Sequence, residues 1–136
     1  MRHVLALLFF APLWLAPTVA AAEDAIQLEL NAVEKGENRC FMTFVVQNKD
    51  EAPLESLRLD LAVFNRDGIL YRRLITEMGP LRARKTMVKA FGIDGECAQI
   101  GGVLVNDVNA CAPGDVGSCL DRLVVNSRVA NVRFFK

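Results

Sequence analysis

Cysteine is the residue type in this sequence whose number and spacing say most about chemistry. There are four cysteines and no C-x-x-C pair, the spacing that redox centres and zinc sites often use. Because the chain also opens with an export signal, described below, an even number of cysteines favours two structural disulfides, for which three pairings exist. We therefore expect Cys40, Cys97, Cys111 and Cys119 all to be disulfide-bonded.

Histidine, the usual general base at neutral pH, is scarce in the chain. The one histidine, His3, and the one tryptophan, Trp14, both lie in the segment that we expect to be removed. The mature chain then excludes Ser-His-Asp and Cys-His catalysis and histidine-ligated zinc. No acid–base pair is visible among the strand carboxylates Glu29, Asp60 and Glu77, so we expect no enzyme activity.

Several oxygen-bearing side chains towards the end of the chain would suit calcium. They lack the EF-hand spacing, and Asp and Asn are also ordinary residues of strand ends and turns. We predict no metal site and no cofactor. The side chains in question are Asn106, Asp107, Asn109, Asp115 and Asp121.

Charge is balanced overall but unevenly distributed. Without Arg2 there are fifteen basic and sixteen acidic side chains, which gives no general attraction to nucleic acid or anionic lipid. Two interpretations of a basic cluster remain open: an edge that binds acidic groups of an envelope partner, or a solvated strand and turn whose charges discourage edge-to-edge pairing. The cluster consists of Arg72, Arg73, Arg82, Arg84, Lys85 and Lys89.

The segment from Cys111 to Cys119 is a second candidate contact surface. It contains Pro113, Asp115 and Val116 and is expected to be a loop closed by a disulfide. Such a loop is rigid and exposed, which suits insertion into the groove of a partner, including a protease. Plain stabilisation of a strand connection is the alternative.

The first 22 residues have the layout of a secretory signal peptide. Arg2 precedes an uncharged run from Val4 to Ala22, which ends in small residues before Glu23. We expect cleavage after Ala22, with an uncleaved anchor as the alternative. Cleavage would leave residues 23–136 as a single domain without a membrane span, periplasmic or secreted.

The elements that must position these residues begin with a β-hairpin predicted over Leu57 to Glu77. Apolar residues alternate with others from Leu57 to Val63, and Asp67-Gly68 is a hairpin-turn signal. A two-residue turn gives the cross-strand pairs Arg58–Glu77, Leu61–Leu74, Phe64–Tyr71 and Val63–Arg72. The last pair sets an apolar side chain against a charge, so we expect a bulge or a longer loop near the turn.

Short strands separated by turn signals fill the rest of the chain. They favour an all-β fold, an immunoglobulin-like antiparallel β-sandwich of about seven strands with two disulfides. The last strand is predicted over Arg128 to Phe135, and residues 120–123 could form one helical turn.

The sandwich arrangement selects one disulfide pairing. Cys40 opens the second predicted strand and Cys97 precedes the sixth. In an immunoglobulin-like sandwich these two strands run in the same direction on facing sheets, so their starts lie at one end. We expect Cys40 to pair with Cys97, which leaves Cys111 to pair with Cys119.

The middle of the chain, from Phe44 to Phe91, resembles bacterial FxLYD-type extracytoplasmic domains. The resemblance rests on the order in which strands and turn residues follow one another. A strand is followed by Asn48 and Pro53, then by an alternating strand that ends in Val63-Phe64-Asn65-Arg66-Asp67-Gly68. Another strand, Gly79-Pro80-Leu81 and a strand ending in Ala90-Phe91 come next. It implies a small β-sandwich in the cell envelope. That family offers no catalytic residues to transfer.

These observations together predict an exported, non-enzymatic β-sandwich that acts as a binding or accessory module for another envelope component. The expected contacts are the basic cluster and the segment around Asp115 and Val116. The alternative is a protease-inhibitor-like protein that uses the Cys111–Cys119 segment, and a hydrolase with an unconventional carboxylate site comes last.

The disulfide prediction can be checked on unreduced protein. Titration with a thiol reagent under denaturing conditions should find no free thiol, because all four cysteines are expected to be oxidised. Two or more reactive thiols in native material would contradict the prediction.

Overall fold

The structure of the chain is a computed structural model, and it describes residues 25–136. The predicted signal peptide, residues 1–22, lies outside this range. Within residues 25–136, no helix is long and apolar enough to cross a membrane.

Residues 25–136 form eight strands and one short helix in two facing sheets. The strands are β1 (Ile26–Lys35), β2 (Arg39–Asn48), β3 (Ser56–Asn65), β4 (Leu70–Glu77), β5 (Thr86–Asp94), β6 (Ile100–Ala112), β7 (Leu123–Ser127) and β8 (Arg133–Phe135). A 3-10 turn over Cys97–Gln99 precedes β6, and α1 (Val116–Asp121) precedes β7. The first sheet has the order β5-β2-β1-β7 and the second β4-β3-β6-β8. The predicted all-β sandwich is confirmed, with eight strands rather than about seven.

One core lies between the two sheets. Along β3, Leu57, Leu59 and Leu61 are fully buried while Arg58 between them is exposed, because successive side chains of a strand point to opposite faces. Near the middle of the core, the ring of Phe44 lies 5.5 Å from that of Phe134 and 6.2 Å from that of Phe91. Phe44 therefore joins strands of both sheets.

The hairpin of β3 and β4 follows most of the predicted register. Arg58 pairs with Glu77 and Leu61 with Leu74, and the expected irregularity lies between Val63 and Phe64. The prediction that Phe64 faces Tyr71 is wrong, since Phe64 pairs with Leu70.

A longer loop than Asp67-Gly68 alone explains this shift. Asn65 Oδ1 accepts hydrogen bonds from Asp67 N at 3.0 Å and from Ile69 N at 2.9 Å, and Asn65 N donates to Ile69 O at 2.8 Å. Three residues, 66–68, thus close the turn, and Gly68 supplies the positive φ of 78° that such loops need at their end.

Both predicted disulfides are confirmed. Cys40 at the start of β2 pairs with Cys97 before β6, with Cα atoms 5.1 Å apart, so this bond connects the two sheets. Cys111 near the end of β6 pairs with Cys119 in α1, with Cα atoms 6.5 Å apart.

The segment between Cys111 and Cys119 is not the simple loop that was expected. Val116 to Asp121 is helical, and Asp115 caps this helix because its Oδ1 accepts a hydrogen bond from Ser118 N at 2.9 Å. The helical turn expected over 120–123 therefore begins earlier in the chain and ends at Asp121.

The single last strand predicted over Arg128 to Phe135 is also wrong. The chain leaves the first sheet after Ser127, turns at Asn131 with a φ of 60°, and joins the second sheet at Arg133. As a result β7 pairs parallel with β1, and β8 pairs parallel with β6. The expected antiparallel arrangement thus holds for all strand pairs except these two.

Loss of the central aromatic side chain should destabilise the whole domain. We expect Phe44→Ala to lower the free energy of unfolding by about 3–5 kcal/mol, because it leaves a cavity where the two sheets meet. Val88→Ala is the matched control, since Val88 is 65% exposed and should change stability by less than about 0.5 kcal/mol. Urea unfolding of the oxidised protein measures both, and equal effects would contradict this account of the core.

Candidate functional site

Part of the predicted basic cluster, namely Arg82, Arg84 and Lys85, lies at the same end of the sandwich as the Cys111–Cys119 segment. Leu54 forms a bridge with Leu81, and Glu55 N donates to Ala112 O at 2.7 Å. The connections between β2 and β3, β4 and β5, and β6 and β7 are therefore neighbours. We call residues 49–55, 78–85 and 113–122 together the loop end.

Asp50 connects the basic turn to the helix of the loop end. Its backbone carbonyl accepts a hydrogen bond from Arg84 N at 3.1 Å. Its carboxylate forms a salt bridge with Arg122, the C-cap residue that follows α1. The β4–β5 connection and the end of α1, which are distant in the sequence, are thus both held against the β2–β3 connection.

Asn48, at the end of β2, connects two segments of the loop end through hydrogen bonds of its side chain. Its buried amide nitrogen donates to Ala52 O at 2.9 Å, and it also contacts the carbonyls of Leu81 at 3.4 Å and Arg82 at 3.3 Å. Its Oδ1 accepts from Asp50 N at 3.0 Å. The sequence shows Asn48 only as a strand end, because nothing local indicates that its amide is buried against another connection.

The structure divides the predicted basic cluster into two groups. Arg72 and Arg73 lie on β4 and have intramolecular partners: Arg72 Nε donates to Asp94 O at 2.8 Å, and Arg73 binds Asp60. The other group, Arg82, Arg84 and Lys85, lies together in the loop end.

Within that second group the cations differ in their pairing. Arg84 forms a salt bridge with Glu51 at 2.6 Å. Arg82 and Lys85 are exposed, and their side chains form no salt bridge or hydrogen bond with any residue in the range 25–136. Lys89, on β5, is half-buried and lies outside the loop end.

The disulfide-closed segment presents an apolar residue beside these cations. Asp115 is exposed but is used as the cap of α1, whereas Val116 is the first helical residue and is 43% exposed. Cys119 anchors the opposite face of the helix in the core. Val116 is therefore the apolar side chain that this segment offers to a partner.

Three of the oxygen-bearing residues considered for calcium lie on β6, and the other two, Asp115 and Asp121, lie at the two ends of α1. Asn106 donates to Asp60 at 2.7 Å, and Asp107 Oδ1 accepts from Val108 N at 2.8 Å. Among the residues that the structure describes, no group of three or more His, Cys, Asp or Glu side chains is arranged to hold a metal ion.

β4 adds an open strand edge to this end of the molecule. It pairs with β3 on one side and lies at the edge of its sheet. Ile75, two residues before the strand ends, is 55% exposed. The β4 edge therefore continues the loop end with an apolar side chain.

The three strand carboxylates are each held in the charged form. Hydrogen bonds from Asn31, Asn126 and Arg128 lower the pKa of Glu29 to about 2. For Glu77, burial alone would raise the pKa, but hydrogen bonds from Ser56, Leu57 N and Gly79 N outweigh it and lower the pKa. None of these groups has the raised pKa that a general acid near neutral pH requires.

Asp60 is the most deeply buried of the three. Its side chain is 4% exposed, and Arg73, itself 61% exposed, reaches over it with Nε 3.1 Å from Oδ1 and a terminal nitrogen 2.5 Å from Oδ2. These hydrogen bonds from Arg73 lower the pKa of Asp60. Burial by itself would raise this pKa, and a hydrogen bond from Asn106 lowers it further. The pair lies on the outer face of the second sheet.

Removal of Arg73 should destabilise the protein in a pH-dependent way. We expect Arg73→Met to cost about 3 kcal/mol at neutral pH, because Asp60 is left buried and charged with one amide partner. Since a lowered pKa stabilises the fold above the ordinary value of about 4 and this contribution is lost in acid, the difference from wild type should shrink below about pH 4.

Urea unfolding at several pH values measures this difference. Arg58→Met is the matched control, since Arg58 is exposed and lies 3.8 Å from Glu77. It should change stability by less than about 1 kcal/mol. A pH-independent loss in Arg73→Met would show that Asp60 is not the cause.

Comparison of the chain with known proteins does not supply a function. No protein family, no curated protein and no solved structure matches it. The resemblance of residues 44–91 to FxLYD-type domains therefore stays a prediction.

Proposed function

We propose that the protein is an exported, non-enzymatic module that binds another component of the cell envelope through the loop end. The observation that carries this proposal is that Asp50 connects the basic turn, through Arg84 N, to the end of α1, through Arg122. Binding residues tend to lie on loops that a rigid scaffold positions, and here three connections share one support.

Two chemical features support an exported location. Two disulfides persist in an oxidising environment such as the periplasm or the extracellular space. The signal-peptide pattern of residues 1–22 agrees with that environment. Export followed by oxidation accounts for both features.

A binding role rather than catalysis is supported by the state of the titratable groups. The carboxylates Glu29, Asp60 and Glu77 all have lowered pKa values and are engaged in hydrogen bonds. The mature chain would contain no histidine to serve as a base. The side chains of the loop end suit recognition of a surface instead.

The chemistry of the loop end indicates the kind of partner. Arg82 and Lys85 offer two exposed cations, and Val116 offers an exposed apolar side chain. A partner surface with acidic groups around an apolar contact would complement it.

The protease-inhibitor alternative has less support. An inhibitory loop that enters a protease cleft is extended, like a substrate, whereas Val116 to Asp121 is helical. Only residues 113–115 of the disulfide-closed segment are outside a helix or strand.

An affinity capture from envelope extract tests the proposal. Tagged mature protein should retain a partner, and the paired change Arg82→Ala with Lys85→Ala should lower its recovery about tenfold, because two cations that steer and hold the complex are lost. Val116→Asp should lower it as well, since a charge is placed at the apolar contact. Quantitative mass spectrometry measures the recovered partner.

The matched control is Lys35→Ala with Arg39→Ala, which removes the same charge at the opposite end of the sandwich. Lys35 ends β1 and Arg39 begins β2, and both make exposed salt bridges. Recovery equal to wild type in both loop-end variants would show that this surface is not the binding site. Capture of no partner at all would overturn the binding role.

A further inference from the structure

A groove lies at the end of the sandwich opposite the loop end, on the outer face of the second sheet. It has a volume of about 260 Å³. Its main lining residues are Phe64, Arg66, Gly101, Gly102, Arg133 and Phe135. None of them belongs to the loop end, so an inference about the groove is independent of the proposed function.

Gly102 keeps the floor of the groove open. It pairs with Phe64 of β3 on one side and with Arg133 of β8 on the other. A Cβ atom at Gly102 would lie 3.4 Å from the ring of Phe135. Because no side chain stands there, the space between the neighbouring strands is accessible from outside.

Two aromatic rings provide the apolar surface of the groove. The rings of Phe64 and Phe135 have centroids 6.4 Å apart and are inclined by only 27° to each other. Both residues are half-buried, so part of their surface remains accessible. Offset stacking against such rings favours a planar, aromatic ligand.

Two guanidinium groups provide the positive charge. Arg66 Nε donates to Ala98 O at 2.5 Å, which orients this side chain and leaves its terminal nitrogens without a hydrogen-bond partner in residues 25–136. Arg133 lies over the ring of Phe135 at 4.9 Å, and within the same range its side chain forms no salt bridge or hydrogen bond. No acidic residue lines the groove.

We propose that this groove binds an aromatic carboxylate. The ring of the ligand packs against the accessible parts of Phe64 and Phe135, and its carboxylate receives charge-assisted hydrogen bonds from Arg66 and Arg133, which are stronger than bonds between neutral groups. The volume is below the roughly 300 Å³ at which pockets for drug-sized ligands begin, so the site accommodates one ring with its acid group. A free aromatic acid and the C-terminal aromatic residue of a peptide both present this chemistry.

Titration of the oxidised mature protein tests the proposal. The probes are 3-phenylpropionate, its neutral analogue 3-phenylpropanol, and a short peptide ending in Phe with a free or an amidated C-terminus. Two-dimensional amide NMR should show saturable shifts centred on Gly101, Gly102 and Arg133. We expect the neutral analogue and the amidated peptide to bind at least about tenfold more weakly, because they lose the charge-assisted hydrogen bonds.

Variants assign the binding to the two arginines. Arg133→Met and Arg66→Met should each weaken binding of 3-phenylpropionate about tenfold, while Arg133→Lys should retain an intermediate affinity because the charge is kept. Arg58→Met is the matched control, an exposed arginine on the same outer face near the other end of β3. Circular dichroism establishes that each variant is folded.

The outcomes separate cleanly. Tighter binding of the free acid or of the peptide identifies the source of the ligand and supports the proposal either way. Equal affinity for charged and neutral probes would overturn the role of the arginines. No saturable shift at millimolar concentration, or undiminished binding by both arginine variants, would overturn the site itself.

Discussion

Strand β3 is the constraint on which the rest of the sandwich depends, because its middle is buried on both faces and its outer face carries a charged side chain there. Leu57, Leu59 and Leu61 point into the core and are fully buried. On the other face Asp60 is also buried, which is tolerable only because Arg73 from β4 and Asn106 from β6 satisfy its carboxylate. The same strand therefore sets the position of both its neighbours.

The two ends of the sandwich differ in how they are built, and this difference separates their chemistry. At the loop end, polar groups are used to hold connections together: Asn48 and Asp50 bind the backbone and side chains of three segments. At the other end, glycines at 101 and 102 allow close approach of strands, and Gly101 could not carry a Cβ, which would lie 2.6 Å from Asn65 O. One end thus displays loops, while the other forms a concave surface.

The C-terminal segment shows how a local pattern can be misread. Residues 128–135 alternate like a strand, yet the chain crosses from one sheet to the other inside this stretch. Arg128 N donates to Leu30 O on β1, whereas Phe134 packs beside Phe44 after the turn at Asn131. Alternation of apolar and polar residues indicates that one face of a segment is buried, but it does not indicate to which sheet the segment belongs.

Sequence alone was sufficient for the features that depend on local patterns or on the strand order of a common fold. Strand periodicity predicted the all-β class, the alternation of β3 and the irregularity in the hairpin. The strand order of a sandwich predicted the Cys40–Cys97 disulfide, and elimination then left Cys111 to pair with Cys119. The tertiary structure decided the rest: the helix at Val116, the split of the last strand, the meeting of distant connections on Asp50, and the groove between Phe64 and Phe135. The last three of these depend on contacts between residues far apart in the chain, and such contacts exist only once the two sheets have packed. The helix at Val116 is local, since Asp115 caps it through Ser118 N, but the Pro and Gly residues of this segment are typical of a loop.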